Sequence, residues 1–308
     1  MSIIQELFPG RLQKTFMCLE SYLHQIQEIR VRVNTPVIIR MREKEYAVSC
    51  DGQLTSALSK GFVISSKDME ESILHICHSS IYAYEEEIRR GYITITGGHR
   101  VGITGQVVLN DNGQVKTIKN ISFINIRIAH EVIGAATNVL PYIYQGTRVN
   151  NTLIVSPPGF GKTTLLRDMV RQVSNGNGYG KGRNCCIIDE RSELAGSYKG
   201  IPQLDVGMRT DVLDGCPKSI GMMMVIRSMC PQVVAVDELG SREDMDAVFA
   251  VIHSGSSIFA TIHGDSTESL KEKSFLKQVM KERVFSRYIV IQNDWHDIKI
   301  FNGELEKC

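Results

Sequence analysis

The chain has 308 residues, of which 43% are hydrophobic and 22% charged, an ordinary globular composition long enough for two folded units. Its 35 basic and 34 acidic residues leave a formal charge of +1, which excludes a polybasic nucleic-acid coat and a polyacidic tail. Eight cysteines without a Cys-x-x-Cys pair argue for a reduced, intracellular protein rather than a disulfide scaffold. The opening residues carry neither the basic nor the apolar region of a secretory leader. The most apolar long stretch, Met222 to Val236, is broken by Arg227 and Pro231. Neither a signal peptide nor a membrane span is expected.

In chain order, Leu12, Phe16, Leu19, Leu23 and Ile26 recur at helical spacing and predict an amphipathic helix. Residues 28–33 alternate, with Ile29, Val31 and Val33 on one face, and predict a strand. Asn34-Thr35-Pro36 turns it back into a second strand over 37–41. Ser65 and Asp68 have capping-box spacing ahead of a helix carrying Met69, Ile73, Leu74 and Cys77. A short helix over 81–88 leads to a hairpin, with strands over 92–96 and 101–109 around Gly97-Gly98. After a turn at 111–113, Ile124, Ile126 and Ile128 alternate again. His75, Cys77 and His78 crowd one helical turn without a fourth partner and read as structural. The first domain, residues 1–146, is therefore expected to be α+β, a helix with a hairpin followed by a hairpin-rich part.

The polar stretch 146–151 marks the expected boundary. Beyond it, short apolar runs at 153–155, 185–188, 233–236 and 257–260 alternate with helical stretches. Continuous apolar strands between helices predict a parallel sheet covered on both faces, an α/β domain over 147–308.

The first of those runs leads into Ser156-Pro157-Pro158-Gly159-Phe160-Gly161-Lys162-Thr163-Thr164 and then a helix, the strand–loop–helix context of a phosphate-binding loop. Backbone N–H groups of such a loop point at phosphates, and Gly159 and Gly161 allow the close approach. Lys162 supplies charge to the phosphates, and the Thr163 hydroxyl is placed to ligate Mg²⁺. The loop departs from the usual pattern at its start, where Ser156 replaces a glycine. The run at 233–236 ends in Asp237-Glu238; Asp237 is expected beside the Mg²⁺, and Glu238 as the base for an attacking water. The run at 185–188 also ends in carboxylates, Asp189-Glu190, with Glu193 close behind. Glu190 or Glu193 is a second candidate for polarising the water, against a bland role at a helix start. His263, leaving the fourth run, is a candidate sensor of the terminal phosphate. A cation delivered from elsewhere is sought among Arg89, Arg90, Arg100, Arg127, Arg209 and Arg227, with Arg100 assigned to the nucleotide site.

Six segments together resemble the stage III sporulation protein AA family: residues 28–32, 97–105, 156–168, 205–218, 226–231 and 234–240. The resemblance implies a RecA-like P-loop ATPase domain related to the motors of type II and type IV secretion and of type IV pili, using ATP and Mg²⁺. It also implies a homo-hexameric ring, working from the mother-cell cytoplasm at the periphery of a membrane-bound sporulation channel complex. In such motors Asp189-Glu190 and His263 fall in an acidic and a histidine box, although the acidic box departs here as Asp-Glu-Arg-Ser-Glu. Many secretion ATPases carry glycine where Asp237 stands, and the tetracysteine zinc module of some is absent from this sequence. The competing expectation is a nucleic-acid-dependent P-loop ATPase. Near-zero net charge argues against it, as does the lack of room after Val284 for a single-strand-binding domain. A small-molecule kinase would need a lid insertion, for which the sequence offers no candidate.

Overall fold

A computed structural model describes residues 2–42, 44–294 and 296–308. The chain divides into two compact units, 1–130 and 131–308.

The first unit is built on a seven-stranded antiparallel sheet in the order β4-β3-β2-β1-β7-β6-β5. Its elements are α1 (Ile3–Leu7), α2 (Gly10–Phe16), β1 (Ile26–Arg32), β2 (Ile38–Met41), β3 (Lys44–Val48) and β4 (Leu54–Thr55). They continue with α3 (Ser66–Ile76), α4 (Glu85–Arg90), β5 (Tyr92–Ile95), β6 (His99–Leu109) and β7 (Val115–Arg127). Ile29 and Val31 are buried with Ile124 and Ile126 opposite them, so the period-2 pattern places the core face as expected. The Ser65–Asp68 capping box forms at the start of α3. The helix expected over 12–26 is shorter: α2 ends at Phe16, a 3₁₀ turn runs over Met17–Tyr22, and Ile26 opens β1. Its apolar residues still all enter the core or pack on it, because Leu12, Phe16 and Leu19 lie under the sheet while Ile26 joins it.

The second unit holds α5 (Leu140–Ile143), β8 (Tyr144–Gln145), β9 (Arg148–Val149), β10 (Thr152–Ser156), α6 (Lys162–Asn175), β11 (Cys185–Asp189) and β12 (Thr210–Asp214). There follow α7 (Lys218–Ser228), β13 (Val233–Val236), α8 (Arg242–His253), β14 (Ser257–His263), α9 (Thr267–Glu272), α10 (Lys277–Lys281), β15 (Arg287–Ile291) and β16 (Ile298–Asn302). Its sheet runs β12-β11-β13-β14-β10-β15-β16, parallel except for the antiparallel edge strand β16. Alternate residues of each central strand feed two separate cores. Leu153, Val155, Cys186, Ile188, Val234 and Val236 pack with α7 and α8. Ile154, Cys185, Ile187, Val233 and Ala235 pack with α6. This two-sided burial is the reason the strands read as continuous apolar runs.

The boundary falls 16 residues before the expected 146. Residues 131–146 belong to the second unit because Ala136, Val139, Leu140, Ile143 and Tyr144 pack in the core beneath α6. The buried carboxylate of Asp168 also accepts the N–H groups of Gly134 at 3.1 Å and Ala136 at 2.7 Å. The polar stretch at 146 is the turn of the β8–β9 hairpin.

Candidate functional site

The loop between β10 and α6 has the backbone its sequence calls for. Gly159 and Gly161 have φ of 84° and 90°, left-handed values that glycine adopts without a Cβ penalty. Gly161 serves as the N-cap of α6, so the helix starts at Lys162 with no side-chain cap and no acidic residue in its first turn. By contrast, α8 and α9 both begin with capping boxes, Ser241–Asp244 and Ser266–Ser269. The first turn of a helix leaves backbone N–H groups without intrahelical partners. At α6 these donors, with the positive end of the dipole, are left for an anion. Phe160 packs against the core beneath the helix and anchors the loop. Ser156 is fully buried, and its hydroxyl donates to the Pro157 carbonyl at 2.8 Å. Pro158 is exposed at the loop's crest, and Thr164 follows on the first turn of α6.

The carboxyl ends of β13 and β14 meet this loop. Thr163 Oγ1 donates to Asp237 Oδ2 at 2.6 Å, and Thr261 donates its hydroxyl to the other oxygen of the same carboxylate. Thr261 Oγ1 also accepts the Glu238 N–H at 2.8 Å, while its carbonyl accepts the Leu239 N–H at 2.9 Å. These bonds hold Glu238 at φ 57°, a left-handed conformation that costs a non-glycine residue roughly 1 kcal/mol. The strain turns the Glu238 side chain back towards the loop. Its Oε1 lies 3.5 Å from Lys162 Nζ and 3.1 Å from His263 Nε2, and its Oε2 lies 2.9 Å from Arg191 Nη1. Partial burial raises the Glu238 carboxyl, but the charges of Lys162, Arg191 and His263 outweigh it and hold the group below its usual range. His263 Nδ1 is buried without a hydrogen-bond partner among the described residues.

The end of β11 is organised differently. Asp189 is buried, and its carboxylate accepts the N–H groups of Glu193 and Leu194, both at 2.9 Å, and of Ala195 at 2.8 Å. Burial pushes its carboxyl up to about 6 despite these three bonds. Glu190 forms an ion pair with Lys218, the first residue of α7. The buried guanidinium of Arg167 donates to the carbonyls of Leu194 at 2.5 Å and Glu193 at 3.0 Å, closing the underside of the turn.

Lys162, Thr163, Asp237, Glu238 and His263 thus converge. Glu190 shares a small cleft with Asp237 and Glu238 but has a lysine of its own. Arg100 belongs to the first unit, where its guanidinium stacks 3.5 Å from the Tyr92 ring centroid. Arg209 donates to the carbonyls of Ser174 and Asn175 at the end of α6, a C-terminal cap rather than a phosphate contact. Sequence reasoning missed Arg191 and Lys218. Arg191 follows directly on the Asp189-Glu190 pair, and that adjacency is the signal that points to it.

Among the described residues, no group of three or more His, Cys, Asp or Glu side chains is arranged to hold a metal. The Thr163 hydroxyl beside the Asp237 carboxylate nevertheless fits Mg²⁺. That ion commonly takes one or two protein oxygens and completes its shell with phosphate and water. Among the described residues, no helix is long and apolar enough to cross a membrane.

Comparison with known proteins agrees with this architecture. The sequence model of the family described as sporulation stage III, protein AA, matches residues 2–303. A stage III sporulation protein AA from Bacillus subtilis (strain 168) is 41% identical over 290 residues, covering 94% of this chain and 90% of that protein. Among solved structures, the ATPase DotB of Legionella pneumophila superposes with a TM-score of 0.57 at 13% identity, covering 96% of this chain and 77% of the other. The pilus retraction motor PilT with bound ADP gives a TM-score of 0.56 at 14% identity, covering 90% and 77%. The last two are likenesses of fold alone, and they are consistent with a RecA-like sheet in the second unit. The chain belongs to the sporulation stage III protein AA family.

Proposed function

We propose that this chain is an ATP-hydrolysing, Mg²⁺-dependent motor of the secretion-ATPase type. The observation that carries the reading is the uncapped N-terminus of α6, with buried Lys162 and the Thr163–Asp237 pair at its mouth. In this reading the N–H groups of the loop from Ser156 to Thr164 and the Lys162 ammonium bind the nucleotide phosphates. Thr163 and Asp237 hold Mg²⁺, which when bound neutralises phosphate charge. Glu238 accepts the proton of the attacking water and aims its lone pair; His263 orients Glu238 and faces the terminal phosphate. Glu190 is the second candidate for placing the water. Arg100 is kept as a candidate cation for the nucleotide.

The family and the fold likeness support a finer reading of the same proposal. Six copies form a ring, act from the mother-cell cytoplasm and engage a membrane-bound sporulation channel peripherally. Phosphate release from Mg-ATP by the purified protein, alone and with membranes carrying such a channel, tests the reading. Hydrolysis that Lys162→Ala abolishes is the expected result. Absence of both nucleotide binding and hydrolysis under all these conditions overturns it.

A further inference from the structure

Glu238 is shared between two tasks that cannot be performed at once. The Lys162 side chain is only 7% exposed, and a buried ammonium needs an anion; here Glu238 Oε1 supplies it at 3.5 Å. Phosphates arriving at the loop compete for the same ammonium. When Lys162 turns to them, Glu238 loses a cation and gains an anionic neighbour. Like charges at that distance repel unless a counter-charge stays with the carboxylate.

Arg191 is placed to be that counter-charge. It binds Oε2 at 2.9 Å, the oxygen that neither Lys162 nor His263 uses, so Lys162 can leave without disturbing it. Its side chain is 63% exposed, so its charge needs no further buried partner. The turn that carries it is pinned on both sides. Asp189 binds three backbone N–H groups beyond it, and the Ser192 hydroxyl donates to Asp214 Oδ1 at 2.7 Å. Arg167 holds the carbonyls of residues 193 and 194. The backbone therefore presents the guanidinium from a fixed base.

We infer that Arg191 is a positioning residue that acts through Glu238. It keeps the carboxylate aimed and charge-compensated, from within the same chain, while Lys162 is engaged by phosphates. The inference rests on the phosphate-binding role of Lys162 proposed above.

The test is calorimetric binding of ADP and of a non-hydrolysable ATP analogue, with Mg²⁺, to the full chain. The proteins compared are the wild type, Lys162→Ala, Arg191→Ala, Arg191→Lys, Glu238→Gln and the Arg191→Ala/Glu238→Gln double variant, each checked for an unchanged thermal transition. Arg191→Ala is expected to weaken binding about 2- to 5-fold, the size of one largely exposed charge pair. The loss disappears when Glu238 is already glutamine, and Arg191→Lys restores most of it. Where turnover is measured, kcat falls more than KM rises. An equal loss in the Glu238→Gln background places Arg191 on the nucleotide itself and overturns the inference. So does unchanged or tighter binding by Arg191→Ala. A wild type that binds no nucleotide, or a Lys162→Ala variant that binds as well as wild type, overturns the phosphate site first and the inference with it.

Discussion

Two strands of the second unit end in the same dipeptide, and the protein uses the two ends in different ways. At β13, Asp237 stands beside Thr163 at the start of α6, and Glu238 faces Lys162. At β11, Asp189 points into the protein and caps three backbone N–H groups, and Glu190 goes to Lys218. The difference lies in their neighbours. β13 pairs with β14, which brings Thr261 to Asp237, and β14 in turn pairs with β10, which carries the loop. β11 lies one strand further out, where its end meets β12 and the start of α7. The buried Asp189 carboxylate takes three backbone N–H groups there in place of an ion pair. The pair therefore shows that the partners of an acidic strand end are set by its distance across the sheet from the β10–α6 loop.

The strongest way to break this contrast is to neutralise the β13 end. Glu238→Gln is expected to lower phosphate release at least 100-fold, within the range for loss of a general base. Activity that survives would move the base to Glu190 or Glu193. Asp189→Asn should do the reverse. An amide cannot replace a carboxylate that accepts three N–H bonds, so denaturant unfolding should show a loss of about 2–3 kcal/mol.

The same residue sharpens the contrast through pH. The Asp189 carboxyl sits at about 6 in the fold, above the 3.8 of the unfolded group. Between those values the folded state holds the proton that the unfolded state has released. The stability contributed by this group is thus fully present below the unfolded value and falls as pH rises through the window, by no more than about 3 kcal/mol. In unfolding curves from pH 4 to 7, Asp189→Asn should lack that component, and identical slopes in both proteins would overturn it. The smallest effect is expected at Glu190. Because it is half-exposed and paired with Lys218, Glu190→Gln should change kcat less than about 3-fold. A loss equal to that of Glu238→Gln would erase the distinction between the two ends.

Much of this was legible from residues alone, wherever a short pattern has one physical solution. Alternation placed Ile29 and Val31 in the core of the antiparallel sheet. Glycines at 159 and 161 ahead of Lys162 specified the left-handed turns of the loop into α6, because only glycine reaches those dihedrals freely. The Ser65–Asp68 spacing specified a helix start. Long-range placement was less legible. Polar residues at 146 looked like a linker and proved to be a hairpin turn, since the apolar residues before it reach the core beneath α6 only once that helix is in place.

The sequence by itself determined many of the core elements, the class of each unit and the glycine turns of the loop ahead of α6, since each depends on spacings of two to eight residues. The tertiary structure alone decided which acidic pair faces Lys162, that Asp189 is a cap, and that Arg191 joins Glu238 from 47 residues away. Those outcomes depend on strand order across the sheet, where residues distant in the chain meet at 3 Å, and local pattern carries no record of that order.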